Sequence, residues 1–139
     1  MTDVHSKEIR SYNMSKIKGK DTKPEILVRK FLFRKGLRYK LHDKKLPGKP
    51  DLVFPKYKKV IFVNGCFWHG HENCKYFIVP KTRTDWWLDK INKNKEKDLE
   101  NIKKLENEGW KVYVIWECDL KKNQQKEYFL NTLYCKIIN

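Results

Sequence analysis

Long apolar runs are missing from this chain: no stretch approaches the ~20 consecutive apolar residues that a membrane-crossing helix requires. The segment Met1 to Arg10 lacks the apolar core of a secretion signal, and no lipidation box is present. The expectation is a cytoplasmic protein with no membrane partner. Glycine and proline are sparse, 6 and 5 residues in 139, and they do not gather into a linker. With no internal repeat or low-complexity tract, residues 1–139 are read as a single domain, a length suited to one core. Acidic residues are also scarce, 17 against 32 Lys and Arg, and the formal charge is +15. Abundant Lys, Ile and Asn reflect an AT-rich genome in part. The charge nonetheless predicts a polyanionic partner, nucleic acid ahead of an anionic membrane face. Membrane attachment calls for a basic amphipathic helix with an uninterrupted apolar face, and none is found.

Apolar spacing gives an α/β order. Residues 1–20 form a basic N-terminal arm, with a short helix expected within Ser6 to Lys20. Thr22, Pro24 and Glu25 read as a helix start with a capping box; Ile26, Leu27, Phe31 and Leu32 supply the apolar face, and Gly36 the stop. Leu37, Tyr39 and Leu41 alternate with basic residues as on a half-buried strand. After a turn over Leu46 to Pro50, short strands are expected at Asp51 to Phe54 and Lys59 to Val63, the second central because it is nearly all apolar. Asn64 to Arg83 is an irregular loop. Thr84 caps a long helix reaching about Glu108, with Leu88, Ile91, Leu99, Ile102 and Leu105 inward. Lys111 to Trp116 is a further strand, and Gln124 to Cys135 a closing helix that places Cys135 in the core. The architecture expected is a three-layer domain with a mixed central sheet flanked by helices.

Four cysteines allow three disulfide pairings, but in a reducing compartment clustered cysteines point to metal. Cys66, His71 and Cys74 sit close enough along the chain to wrap one zinc ion. Cys118, just past a buried strand, can close the tetrahedron of a structural site. His69 lies within the same loop. It is either a catalytic group titrating near neutrality, a hydrogen-bonding residue, or the ligand in place of His71.

Asp51 follows Pro50 at the head of a strand, a place where nucleases hold Mg²⁺. The ion neutralises a scissile phosphate and activates water, and one Asp plus a backbone carbonyl can suffice to bind it. A lone Asp after Pro is also an ordinary turn residue. Phe67-Trp68 and Trp86-Trp87 can either wedge into and stack on bases or pack in the core.

Taken together these residues resemble the very-short-patch-repair (Vsr) endonucleases over nearly the whole chain. The matching pieces are Asp-Val-His near the start, Arg10-Ser11-x-Asn13-Met14-x-x-Ile17, and Leu46-Pro47-Gly48-x-Pro50-Asp51. They continue through Gly65-Cys66-Phe67-Trp68-His69, Val79-Pro80-x-Thr82-Arg83-Thr84, Gly109-Trp110 and Trp116-Glu117-Cys118. The resemblance implies a restriction-endonuclease-like fold and Mg²⁺-dependent nicking 5′ to the thymine of a T:G mismatch left by deamination of 5-methylcytosine. It implies double-stranded DNA as partner, a cognate cytosine methyltransferase, mismatch-repair proteins, a bacterial cytoplasm and a monomer.

Carried over residue by residue, the resemblance makes Asp51 the magnesium ligand together with the main-chain carbonyl of Val63, and Cys66, His71, Cys74 and Cys118 the zinc ligands. His69 matches the catalytic histidine and Glu25 the acidic residue that orders water at the ion. Phe67, Trp68 and Trp87 match an aromatic wedge, Met14 lies in the DNA-contacting arm, and Asp98 aligns with a supporting polar position. Two departures stand out. Asn64 replaces a second histidine that the family usually carries, and asparagine cannot transfer a proton at neutral pH. One extra residue also lies between His71 and Cys74, which leaves the ligand set intact. Two other readings fit the same sequence: a zinc-stabilised module that binds distorted DNA without cutting it, and a nickase with broader targets.

Overall fold

The computed structural model describes residues 22–72, 74–75, 77–121 and 123–139. The basic arm and Met14 lie outside the described residues. Helix α1 spans Lys23–Arg34 and begins as its sequence dictates: Thr22 is extended, its Oγ1 accepts from the Glu25 N–H at 3.4 Å, and Pro24 sits in the first turn. It ends at Gly36, whose φ of 96° suits a residue without Cβ, and the Leu37 N–H returns to the Leu32 carbonyl at 3.1 Å.

Four strands follow in one sheet, ordered β1-β2-β3-β4: Lys40–Leu41, Leu52–Phe54, Lys59–Asn64 and Lys111–Trp116. The first three run antiparallel, while β4 is parallel to β3, so the sheet is mixed and β3 lies inside it, as its apolar run predicts. The alternating strand expected from Leu37 to Leu41 is cut down to β1. Leu37 instead packs at the helix end, Tyr39 donates its OH to the Arg29 carbonyl at 2.7 Å, and Leu41 is 42% exposed.

The parallel pair needs a crossover, which the 65–83 loop and helix α2, Thr84–Asn107, provide. Side chains alternate across the strands. Leu52, Phe54, Ile61 and Ile115 face one way and join Val28 and Leu32 of α1 with Leu130, Leu133 and Ile137 of helix α3, Asn123–Ile138. Val53 and Val60 face the other way and join Leu105 of α2. The sheet therefore lies between α2 and the α1–α3 pair. Lys59, only 8% exposed, donates its Nζ to the carbonyls of Lys136 and Ile137 at 2.7 and 2.9 Å, a cation at the C-terminus of α3.

Three expectations fail locally. Thr84 does not cap α2: its hydroxyl donates to the Pro80 and Lys81 carbonyls, each at 3.0 Å, and Arg83 holds the cap position in a left-handed conformation. Leu88 and Leu99 are 39% and 61% exposed, whereas Ile91 and Leu105 are buried. At 100° per residue Leu99 lies roughly 80° around the helix from Ile91, while Asp98 and Ile102 lie within about 20° of it. The inward stripe thus runs through a carboxylate. Cys135 is exposed rather than in the core, because it is rotated roughly 200° from the buried Leu133. Among the described residues no helix is long and apolar enough to cross a membrane.

Candidate active site and metal centre

The β1–β2 hairpin sets the geometry of the first cluster. Register pairs Leu41 with Leu52, so the residues just beyond, His42 and Asp51, lie opposite one another. The His42 N–H donates to the Asp51 carbonyl at 3.2 Å. Asp51 leads into β2, and its Oδ2 accepts from the Val63 N–H of β3 at 2.7 Å. Glu25, fixed by the first turn of α1 and 1% exposed, has its Oε2 2.9 Å from Arg29 Nη1 and 2.8 Å from His42 Nε2. His42 Nε2 is 3.8 Å from Asp51 Oδ1. One ligand atom each from Glu25, His42 and Asp51 lies within 4.8 Å of the other two.

Arg29 offsets the charge of Glu25, and Asp51 sits against the same carboxylate with His42 as its cationic neighbour. Burial pushes the Asp51 carboxyl up to about 7; the Val63 N–H opposes this, and the adjacent Glu25 carboxylate reinforces it. A divalent cation is the chemical remedy for paired buried carboxylates, and two acidic oxygen donors suit a hard ion. Ligand atoms around an octahedral ion with bonds of about 2.1 Å stand about 3 Å apart, a spacing that this cluster fits.

His69 leaves the loop beyond β3 and meets Asp98 of α2, with Nδ1 to Oδ2 at 2.6 Å. A carboxylate only accepts, so it fixes the ring proton on Nδ1 and leaves Nε2 as the ring's acceptor nitrogen. Both residues line the same cleft as Asp51, Val63, Asn64 and Lys49, with a volume of about 210 Å³. Asn64, the last residue of β3, is 9% exposed.

The second cluster settles which histidine accompanies the cysteines. Ligand atoms of Cys66, His71, Cys74 and Cys118 lie within 4.8 Å of one another, with Cys118 Sγ 3.4 Å from His71 Nδ1. A tetrahedral ion with bonds of about 2.0–2.3 Å separates its donors by about 3.4–3.8 Å, so the set fits zinc. The His71 ring stacks on Trp116 at 4.0 Å, which sets its plane, and the His71 backbone N–H donates to the Cys66 carbonyl at 2.9 Å. Gly70 has a φ of 60°, and a Cβ there would stand 2.3 Å from Lys95 Cε and 2.7 Å from Ile91 Cγ2, so only glycine lets this loop lie on α2. Burial pushes the Cys66 thiol up to about 12 and raises Cys118 as well. A metal ion reverses that preference by binding thiolates.

The aromatics form neither core nor scattered surface. Phe67 sits edge-on to Trp68 and Trp87, at 5.2 and 5.4 Å between centroids, and Trp86 is edge-on to Trp87 at 4.7 Å. Trp86 is 47% exposed, with the Arg83 guanidinium 5.0 Å from its ring centre; Phe67, Trp68 and Trp87 are half-buried. Asn94 of α2 donates to the Trp68 carbonyl at 3.0 Å, tying the cluster to the helix that carries Asp98.

Sequence reasoning missed His42. No local motif marks it; only the register that pairs Leu41 with Leu52 places it opposite Asp51.

The family model for the DNA mismatch endonuclease Vsr matches residues 2–75. The type II nicking enzyme V.NmeAIP of Neisseria meningitidis serogroup A is 51% identical over 137 residues, covering 99% of this chain and 97% of the relative. The type II nicking enzyme V.XorIIP of Xanthomonas oryzae is 48% identical over 120 residues, 86% of this chain and 88% of the relative. The DNA mismatch endonuclease Vsr of Escherichia coli is 46% identical over 125 residues, 90% of this chain and 80% of the relative. A family model over more than half of the chain, and relatives of this identity along most of it, support one conclusion: the chain belongs to the Vsr family of DNA mismatch endonucleases.

Proposed function

We propose that this protein nicks one strand of double-stranded DNA 5′ to the thymine of a T:G mismatch, through Mg²⁺-dependent hydrolysis within a restriction-endonuclease-like domain spanning 1–139. The carrying observation is that Asp51 and the His69–Asp98 pair open onto one cleft between the sheet and α2. A divalent cation there supplies Lewis acidity toward the phosphate and the attacking water. Asp51, with the main-chain carbonyl of Val63, is the proposed holder of the cation, and Glu25 orders water beside it. His69 carries a proton at Nε2 while Asp98 keeps its ring oriented. Asn64 hydrogen-bonds in the same cleft without exchanging protons. Cys66, His71, Cys74 and Cys118 hold a structural zinc whose four ligands leave no open position.

The mismatch preference is assigned to Phe67, Trp68 and Trp87. A T:G pair is cheaper to unstack than a matched one, and rings on a basic surface exploit that difference. The 1–20 arm, with Met14, is proposed to approach DNA as well. The test is a nicking assay with Mg²⁺ on duplexes carrying T:G, other mismatches or none. Preferential cutting 5′ to the mismatched thymine supports the proposal; equal cutting of matched DNA replaces it with a broad nickase. Asn64 favours one further reading, a module that binds distorted DNA with little cleavage, and tight binding without any nick would establish it.

A further inference from the structure

The geometry points to His42 as a nitrogen ligand of the cation held by Asp51, and as the residue that tilts this site from Mg²⁺ toward Mn²⁺. The inference rests on the reading of Asp51 as the metal-binding carboxylate. A site built from one carboxylate, a main-chain oxygen and water ordered by a second carboxylate is one that Mg²⁺ accepts readily, because Mg²⁺ favours hard oxygen donors and keeps its water. An imidazole changes that character: nitrogen donors suit the first-row divalent ions, Mn²⁺ included, better than Mg²⁺.

The placement of the ring supports ligation. Its Nε2 is 2.8 Å from Glu25 Oε2 and 3.8 Å from Asp51 Oδ1, distances that bracket the separation of about 3 Å between neighbouring donors on an octahedral ion. Nε2 donates its proton to Glu25 in the absence of an ion, so an ion settling among these atoms displaces that proton, to Nδ1 or to solvent, and takes the lone pair it frees, with little movement of the ring. The Oε2 atom keeps a second partner, Arg29 Nη1 at 2.9 Å, so the carboxylate stays oriented when His42 turns to the ion. The backbone presents the ring firmly. His42 adopts a φ of 47°, a conformation that side chains other than glycine take rarely, and the hydrogen bond to the Asp51 carbonyl holds it there. The side chain itself is 19% exposed, enclosed enough to exclude most competing water.

The experiment measures Mn²⁺ and Mg²⁺ binding to the zinc-loaded full chain by calorimetry, and nitrogen coupling to bound Mn²⁺ by pulsed electron paramagnetic resonance. For the unaltered protein the expected result is a nitrogen coupling that is lost in His42→Gln. In that variant Mn²⁺ affinity falls about tenfold or more, while Mg²⁺ affinity changes far less. The resonance spectrum of the unaltered protein decides the matter even where the variant folds poorly. Mn²⁺ bound without nitrogen coupling, or a coupling retained in His42→Gln, overturns the inference and leaves His42 as a hydrogen-bond partner of Glu25. Unchanged Mn²⁺ binding in Asp51→Ala overturns instead the underlying assignment of the carboxylate site.

Discussion

The two metal-suited clusters of this protein are opposites in construction. The cysteine cluster draws three thiols and one imidazole from a loop and the segment after β4, four donors that close a tetrahedron. The acidic cluster draws Glu25, His42 and Asp51 from a helix, a hairpin strand end and the head of β2, beside an open cleft. Closed soft donors hold structure, and open hard donors leave room for a substrate phosphate. The same contrast governs protonation. Burial raises Cys66 and Asp51 alike, so burial favours the protonated form of each group.

That contrast breaks most visibly at the cysteines. Cys118→Ala should cost the folded state, because a structural zinc contributes on the order of 10 kcal/mol to small domains that depend on it. The expected outcome is a largely insoluble protein, and elemental analysis of the parent should give about one tightly held zinc per chain. Active parent protein free of zinc would contradict the division of roles. A smaller effect, confined to chemistry, is expected at the cleft: His69→Ala should slow nicking by about 10²–10⁴-fold with binding retained. Asp98→Asn keeps the ring near its place but alters the hydrogen bond that fixes its proton, and should cost about 10–100-fold. Equal rates for parent and both variants would remove the pair from the mechanism.

A gentler change is expected at the aromatics. Replacing Phe67 and Trp68 together by Ala should narrow the preference for mismatched over matched duplex, read as a ratio of binding constants, while the zinc content stays unchanged. An unaltered ratio assigns the rings to packing alone. The smallest effect concerns pH. Asp51 is raised from 3.8 to about 7 in the fold, so protonation favours the folded chain, and the contribution is full below about pH 4 and lost as pH climbs through 7. In Mg²⁺-free buffer Asp51→Asn should therefore melt higher than the parent at pH 8, with a flatter pH dependence between 4 and 7. Parallel pH profiles for the two proteins would show that Asp51 is not the strained group.

Much of this was legible in the chain because the relevant physics is local. Thr22, Pro24 and Gly36 mark the ends of α1 through capping and backbone freedom, and the apolar run of Lys59 to Val63 marks the inner strand. The cysteine set was legible because its members are close in sequence or at a strand end. What escaped depends on tertiary register. His42 acquires its meaning only when the hairpin sets it against Asp51, and the choice between His69 and His71 only when α2 delivers Asp98 to the loop. Leu99 misled because the inward stripe of α2 passes through Asp98 where the helix lines the cleft, and apolar periodicity alone cannot announce that substitution. Thr84 misled for a related reason, since its hydroxyl closes the turn before the helix rather than the helix itself.

The central claim is that Asp51 holds the ion that drives strand cleavage and has no part in recognising the mismatch. The direct measurement compares Asp51→Ala with the parent on a T:G duplex in Mg²⁺, following binding and nicking in parallel. The account predicts binding within a few-fold of the parent, or tighter because a negative charge facing the phosphates is gone, with nicking below detection. Nicking by Asp51→Ala at a rate comparable to the parent would contradict it and move the active site elsewhere.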